Sequence, residues 1–274
     1  MGDPRSLETH FAFGKNWASY AALIDKAQID EAKKGLLRLI SPEDLIGKSF
    51  LDIGCGSGLH ALAAIQLGAR RLMAIDIDPD CIGTTRALIS NNNVSVPWSV
   101  ETKSVFELDA KRQGVFDIVY AWGVLHHTGS MWEAVNKAAS MVAPHGLLVV
   151  ALYRRTYMDR FWKIEKRLYA HAPRFIQDFM RAGYVAAFRL AMFLTGKKFR
   201  DYIAGYRSSR GMDYFHDVHD WLGGYPYETT LAAEVKNKLA VLGFKPERIF
   251  ARPMSVGLFG SGCDEYVYRS QHLQ

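Results

Sequence analysis

Cysteine is scarce in this chain, with three residues at Cys55, Cys81 and Cys263. An odd and sparse set excludes a disulfide framework, and the spacing fits no zinc site. No run of about 18 apolar residues exists to cross a bilayer. Behind Met1–Ser6 no apolar stretch follows, so no secretory signal is expected. Met1-Gly2 with Ser6 matches a myristoylation pattern superficially, but Asp3 and Pro4 follow directly, and we treat the match as coincidence. Internal repeats and low-complexity tracts are also absent. The expectation is a reduced, cytoplasmic chain. Its 274 residues, 49% hydrophobic and 23% charged, are ordinary globular composition for one large domain with an elaboration, or two small ones.

What is present is an uneven charge. The net charge is +6, but Arg154 to Arg210 holds 14 Lys and Arg against 4 Asp and Glu. The rest of the chain is slightly acidic. One segment therefore carries the whole positive excess, which suits an anionic small-molecule acceptor, lipid head groups or phosphates.

Hydrophobic periodicity predicts a helix over Ala18–Ile40 and a short helical turn capped by Ser41 with Pro42 at its first position. Strands and helices then alternate. Strands are expected at Ser49–Ile53, Arg71–Ile75, Val100–Phe106, Phe116–Trp122 and Gly146–Tyr153. Between them lie helices at Leu59–Leu67, Pro79–Ser90 and Ser130–Val142, the last with a capping box from Ser130 to Glu133. Such alternation means a parallel sheet with right-handed crossovers. From Arg154 to Tyr227 the pattern turns helical, basic and aromatic, and ends in Trp221-Leu222-Gly223-Gly224-Tyr225-Pro226-Tyr227. A helix at Thr230–Leu242 and strands at Arg248–Arg252 and Glu265–Tyr268 close the chain. The expected organisation is a cap or lid over 1–47, a core of 48–153 and 228–274, and a helical basic insertion, 154–227, over the acceptor site.

The strongest motif is Asp52-Ile53-Gly54-Cys55-Gly56-Ser57-Gly58, placed where a strand turns into a helix. Glycines there permit a tight turn and close approach of a ligand to the backbone. Asp76, 22 residues after Gly54, stands at the end of the next strand, where a carboxylate can take ribose hydroxyls. A dinucleotide fingerprint would need Gly or Ala where Leu59 stands, and no Gly-Lys-Ser/Thr of a P-loop follows.

The turn, together with Ala74-Ile75-Asp76-Ile77-Asp78, Phe116-Asp117-Ile118-Val119-Tyr120, Trp122-Gly123-Val124-Leu125-His126-His127 and Pro144-His145-Gly146, resembles the class I S-adenosylmethionine-dependent methyltransferases, small-molecule branch of the ubiquinone-biosynthesis type. The resemblance covers roughly 48–153 and the last helix and strands. It implies a doubly wound, Rossmann-like α/β fold with a seven-stranded sheet whose last strand is antiparallel. It also implies S-adenosylmethionine as cofactor and S-adenosylhomocysteine as product. Gly54, Gly56 and Gly58 would pass beneath the methionine part, and Asp52 would support its amino group. Asp76 would hold the ribose, with Ile77, Ser104 and Val105 around the adenine and Ala121 and Trp122 beside the methionine. Trp17, in the aromatic segment Phe11 to Trp17, would belong to a lid over the cofactor.

Methyl transfer to a hydroxyl calls for a base near the strand ends, and His127 and His126 stand just past the fourth strand. His216, Tyr225 and Tyr227 are candidates for acceptor binding. His216-Asp217-Val218-His219 also has helical metal-ligand spacing, but no further pattern supports it and no metal is expected. The reading is methyl transfer to a small molecule, at oxygen. The alternatives are RNA or another macromolecule held by the basic insertion, and a lipid-linked acceptor presented at a membrane surface. No nucleic-acid partner is expected, since no Asn-Pro-Pro-Tyr motif follows the fourth strand. Phe161–Tyr169 and Phe188–Leu194, basic and apolar together, fit peripheral membrane contact or an oligomer interface.

Overall fold

The computed structural model describes Gly14, residues 24–210 and residues 213–272. Trp17 and the rest of its aromatic segment lie outside the described residues. Helix α1 (Lys26–Leu39) starts at Asp25, whose side chain accepts from Ala27 N while Gln28 reaches back to Asp25 N. This capping box separates α1 from whatever precedes it, so the helix is shorter than the periodicity predicts. Ala32, Leu36 and Leu39 are buried at helical spacing. Helix α2 (Pro42–Leu45) is capped by Ser41 as expected.

The alternating section follows as β1 (Ser49–Ile53), α3 (Leu59–Gln66), β2 (Arg71–Asp76), α4 (Pro79–Ser90), β3 (Trp98–Thr102), α5 (Ala110–Gln113), β4 (Phe116–Trp122), α6 (Met131–Ser140) and β5 (Val142–Tyr153). Helices α7 (Asp159–His171), α8 (Arg174–Leu194), α9 (Phe199–Arg210) and α10 (Tyr214–Gly223) come next, then α11 (Ala232–Val241), β6 (Phe244–Phe250) and β7 (Cys263–Ser270). The strand order is β3-β2-β1-β4-β5-β7-β6. Strands β1 to β5 pair in parallel, and β7 runs antiparallel between β5 and β6. The fold class is therefore the one the sequence implied.

Helices cover both faces. Ala, Leu and Ile side chains of α1, α3 and α4 pack on one face around Phe50, Leu72 and Ile118. Met131, Ala134 and Val135 of α6, with Val235 and Leu239 of α11, pack on the other around Leu51, Val119 and Leu148. Helices α7, α9 and α10 build a third cluster from Trp162, Tyr169, Tyr206, Tyr214, Val218 and Leu222, joined by Tyr227 of the following loop.

Three local expectations are corrected. Strand β3 ends at Thr102, because Ser104 and Glu107 form a capping box that turns Val105–Glu107 into a 3-10 turn. Ser130 makes no side-chain cap on α6; the Glu228 carboxylate, just past the end of the insertion, accepts from Met131 N at 2.8 Å instead. Strand β6 starts earlier than expected and ends at Phe250, and its pairing shifts register between Pro246 and Arg248, which an edge strand tolerates.

Candidate functional site

A cavity of about 1290 Å³ runs along the carboxyl ends of the parallel strands and on beneath the insertion. This is where open α/β sheets hold ligands. Its first half is the turn between β1 and α3. Gly54 and Gly58 sit there at φ of +74° and +80°. A Cβ on Gly54 would come within 2.3 Å of the Val124 side chain, and one on Gly58 within 2.9 Å of the Thr85 backbone. The absence of side chains thus lets the turn pack closely under the segment after β4 and against α4.

Asp76, at the end of β2, lines this half. Its two oxygens accept from Gly56 N at 3.1 Å and Asp78 N at 3.0 Å, so it also shapes the turn. Burial raises its pKa, and the two backbone hydrogen bonds oppose that rise. Ile77, Ser104 and Val105 line the same half, brought together from β2 and the turn after β3. Gly14 N donates to Asp78 Oδ2 at 2.9 Å, beside this wall.

Asp52 lies one layer behind the wall. It shares a strand face with Phe50, and one carboxylate oxygen is buried without a partner among the described residues. Burial, then the nearby Asp76 carboxylate, pushes its pKa up to about 7. Two buried carboxylates below a glycine turn, one with an orphaned oxygen, suit a ligand carrying an ammonium and a sulfonium. The residues present therefore fit S-adenosylmethionine.

Of the pair on β4, only Trp122 lines the cavity. Ala121 is buried in the core on the opposite face, because side chains alternate along a strand; Tyr120 takes the place expected for it. Glu265 Oε1 accepts from Trp122 Nε1 at 2.9 Å and also pairs with Arg38. His60, in the first turn of α3, was not foreseen. It lines the cavity beside Tyr120 and Trp122, and burial lowers its pKa to about 4.

The two adjacent histidines part company. His127 reaches the cavity, and its Nδ1 lies 2.8 Å from Pro226 O. A carbonyl only accepts, so Nδ1 carries the proton and Nε2 keeps the lone pair. His126 does not reach the cavity. It is fully buried, accepts from Tyr153 N at 3.3 Å and stacks 3.8 Å from the Tyr153 ring. Burial, then His127, holds its pKa well below the usual range, so it stays neutral and orients Tyr153.

The second half of the cavity is walled by aromatic side chains from the insertion: Tyr184, Phe188, Tyr202, Tyr206, Tyr214 and Trp221, with Tyr153 at the junction. The Tyr214 hydroxyl and Trp221 Nε1 are buried and have no hydrogen-bond partner among the described residues. Burial raises the Tyr214 phenol to about 12, so it remains a donor at neutral pH. Trp221 is fixed from behind by Lys166, whose Nζ donates to the Trp221 carbonyl and lies 3.4 Å from its ring centroid. Burial lowers that ammonium's pKa to about 7.

The three acceptor-binding candidates are displaced from this wall. His216 turns back to Asp213, the cap of its own helix, at 2.9 Å. Tyr225 packs edge-on against His171, and Tyr227 is buried in the insertion's core. Their neighbours Tyr214, Asp217 and Trp221 face the cavity instead, a matter of helical phase that loop composition does not reveal. The expected tie between the insertion's positive charge and an anionic acceptor is also absent. Apart from Arg154, paired with Asp264 at 2.8 Å, no Lys or Arg of the insertion lines the cavity among the described residues. No group of three or more metal-ligating side chains occurs among the described residues.

A family model described as a methyltransferase domain matches residues 25–196. In sequence, 137 residues are 36% identical to a ribosomal protein L11 methyltransferase of Tolumonas auensis, covering 50% of this chain and 44% of that protein. A stretch of 112 residues is 34% identical to a ubiquinone biosynthesis O-methyltransferase of Xanthomonas campestris pv. campestris, covering 41% and 46%. The matches span less than half the length of these curated relatives. In structure, the chain resembles the magnesium protoporphyrin IX methyltransferase of Synechocystis PCC 6803 with bound S-adenosylhomocysteine. There the TM-score is 0.54 at 14% identity, with 89% and 84% of the chains covered. The N-methyltransferase NodS of Bradyrhizobium japonicum WM9 gives a TM-score of 0.52 at 16% identity, with 95% and 100% covered.

Proposed function

The chain belongs to the class I S-adenosylmethionine-dependent methyltransferases, and from that premise we propose that it methylates a hydroxyl of a small molecule held in the aromatic half of the cavity. The observation that carries this reading is the continuity of one half-open cavity, from the glycine turn to a wall of aromatic side chains that includes Tyr214 and Trp221. A pocket with apolar walls and a few placed polar groups suits a small ligand. The ubiquinone O-methyltransferase relative gives the same direction.

When bound, the cofactor supplies an electrophilic methyl group on its sulfonium. The glycine turn and Asp76 would hold it at the strand ends, Asp52 would balance its positive charge from behind, and Ile77, Ser104, Val105 and Trp122 would border it. The aromatic rings of Tyr214 and Trp221 bound the acceptor side. His127 Nε2 takes the hydroxyl proton as the new bond forms, while the Pro226 carbonyl steadies the imidazolium through Nδ1–H. Helices α7 to α10 cover the acceptor side and keep water out. Helix α1 borders the cavity through Gln28, Gly35 and Arg38.

Label transfer tests this. The protein is incubated with methyl-labelled cofactor and a cell extract, and small molecules are separated from the macromolecular pellet. Label in a small molecule supports the reading, and mass spectrometry of that fraction identifies the acceptor. Label in protein, as the L11 methyltransferase relative would suggest, or in RNA overturns it.

A further inference from the structure

Helices α7 and α8 carry apolar residues on two sides, and only one side is used internally. Trp162 and Tyr169 of α7 are buried, and Tyr184 and Phe188 of α8 wall the cavity. On the outside, Tyr157, Phe161, Ile164 and Leu168 form a stripe entering and following α7, at 73%, 53%, 63% and 62% exposure. On α8 a second stripe is made by Phe175, Phe179, Ala182, Ala186, Leu190 and Phe193, all exposed. Helix α8 has 21 residues, so this stripe is about 30 Å long. Apolar surface of this extent on a protein's exterior marks an interaction site.

The exposed charges beside it are mostly basic. Arg160, Lys163 and Arg167 are exposed on α7, Arg174 and Arg189 on α8, and Lys197 just beyond. Of the nearby acids, Glu165 is buried, Asp159 is held by Thr156 and Thr229, and Asp178, itself exposed, is paired with Arg181.

We propose that the outer face of α7 and α8 docks on an anionic lipid bilayer, with the apolar stripes in the headgroup–acyl boundary and the basic side chains on the head groups. Amphipathic, Lys- and Arg-rich helices bind such surfaces in this way. Charge argues against a second copy of the chain, which would bring the same positive excess against itself. A nucleic acid would match the charge and leave the aliphatic stripes in water. No helix among the described residues is long and apolar enough to cross a membrane, so the contact is peripheral. Docking places lipid on one side of α8 and the cavity on the other. The proposal does not depend on which acceptor is methylated.

The full chain is sedimented with vesicles of phosphatidylcholine alone and of phosphatidylcholine with phosphatidylglycerol. Binding is expected to the anionic vesicles only, and to weaken steeply with salt. Two exposed-site variants are compared: Phe175→Ser/Phe179→Ser/Phe193→Ser, and Arg160→Glu/Lys163→Glu/Lys197→Glu. Each should bind at least about tenfold more weakly, since one basic residue near the surface accounts for roughly fivefold. Both should keep the wild-type melting temperature and its rise with cofactor. The proposal is overturned if anionic vesicles do not bind, or if both variants bind as well as wild type. It is equally overturned if the face proves to hold a dimer that the Phe variant dissociates, or an RNA that the charge variant releases, without vesicle binding.

Discussion

Nδ1 of His127 lies 2.8 Å from the carbonyl oxygen of Pro226, tying the turn after β4 to the segment that closes the helical insertion. A carbonyl only accepts, so the contact places the imidazole proton on Nδ1, at the junction between the two halves of the cavity. If His127 is the base, as proposed, the segment that follows α10 orients it.

From this follows the behaviour of His127→Ala. Turnover should fall by about 10²- to 10⁴-fold, the usual contribution of a positioned base. Cofactor affinity, measured by calorimetry, should be unchanged. Retained turnover would remove His127 as the base.

Gly54→Ala tests the glycine turn. The new Cβ would meet Val124 at 2.3 Å in a backbone conformation at φ +74°. Wild type should gain about 2.7 kcal/mol of stability from cofactor at 100 times its dissociation constant. The variant should gain almost none. An unchanged thermal shift would mean that the cofactor does not lie against this turn.

Asp52 predicts a pH dependence with a definite sign. Its folded-state pKa is about 7, raised from an ordinary 3.8 by burial. The folded protein therefore holds this proton more tightly than the unfolded chain. The resulting stabilisation is complete below the unfolded pKa and is lost as pH rises through 7. In the absence of cofactor, Asp52→Asn should flatten the fall in melting temperature between pH 4 and 7 and leave the variant more stable at pH 8. Parallel melting curves for the two proteins across that range would refute the buried-carboxylate assignment.

Tyr214→Phe separates packing from recognition. The hydroxyl has no protein partner among the described residues, so its loss should leave the melting temperature unchanged or slightly raised. If it donates to the acceptor, KM for the acceptor should rise about three- to tenfold, the worth of one neutral hydrogen bond. An unchanged KM would place the acceptor elsewhere in the cavity.

The cofactor half was legible in the sequence because it is local. A strand, a glycine turn and a helix lie within about twenty residues, and Asp76 follows one crossover later. The turn geometry itself demands those residue types, so the motif and the site are nearly the same thing. The parallel section of the sheet was legible for the same reason, through the period of strand and helix, and the antiparallel last strand through the family resemblance. Ala121 shows the limit of even this local reading: the right strand end was identified, but which neighbour faces the ligand is set by the pleat.

The acceptor half was not legible. His126 and His127 are adjacent and chemically alike, yet one is buried against Tyr153 and the other faces the cavity. Tyr225 and Tyr227 looked like ligand groups because they sit in a glycine-rich loop, whereas Tyr214 and Trp221 line the wall through their place on α10. The sequence by itself determined the cofactor, the sheet and the existence of a basic, aromatic insertion. Only the tertiary structure decided that the insertion's aromatics divide between a core, a cavity wall and an outer face, and that its positive charge points away from the site. The reason is physical. A turn that binds a cofactor is encoded by short-range backbone constraints, while a wall assembled from four helices is set by which face of each finds a partner, and packing determines that only when all four are in place.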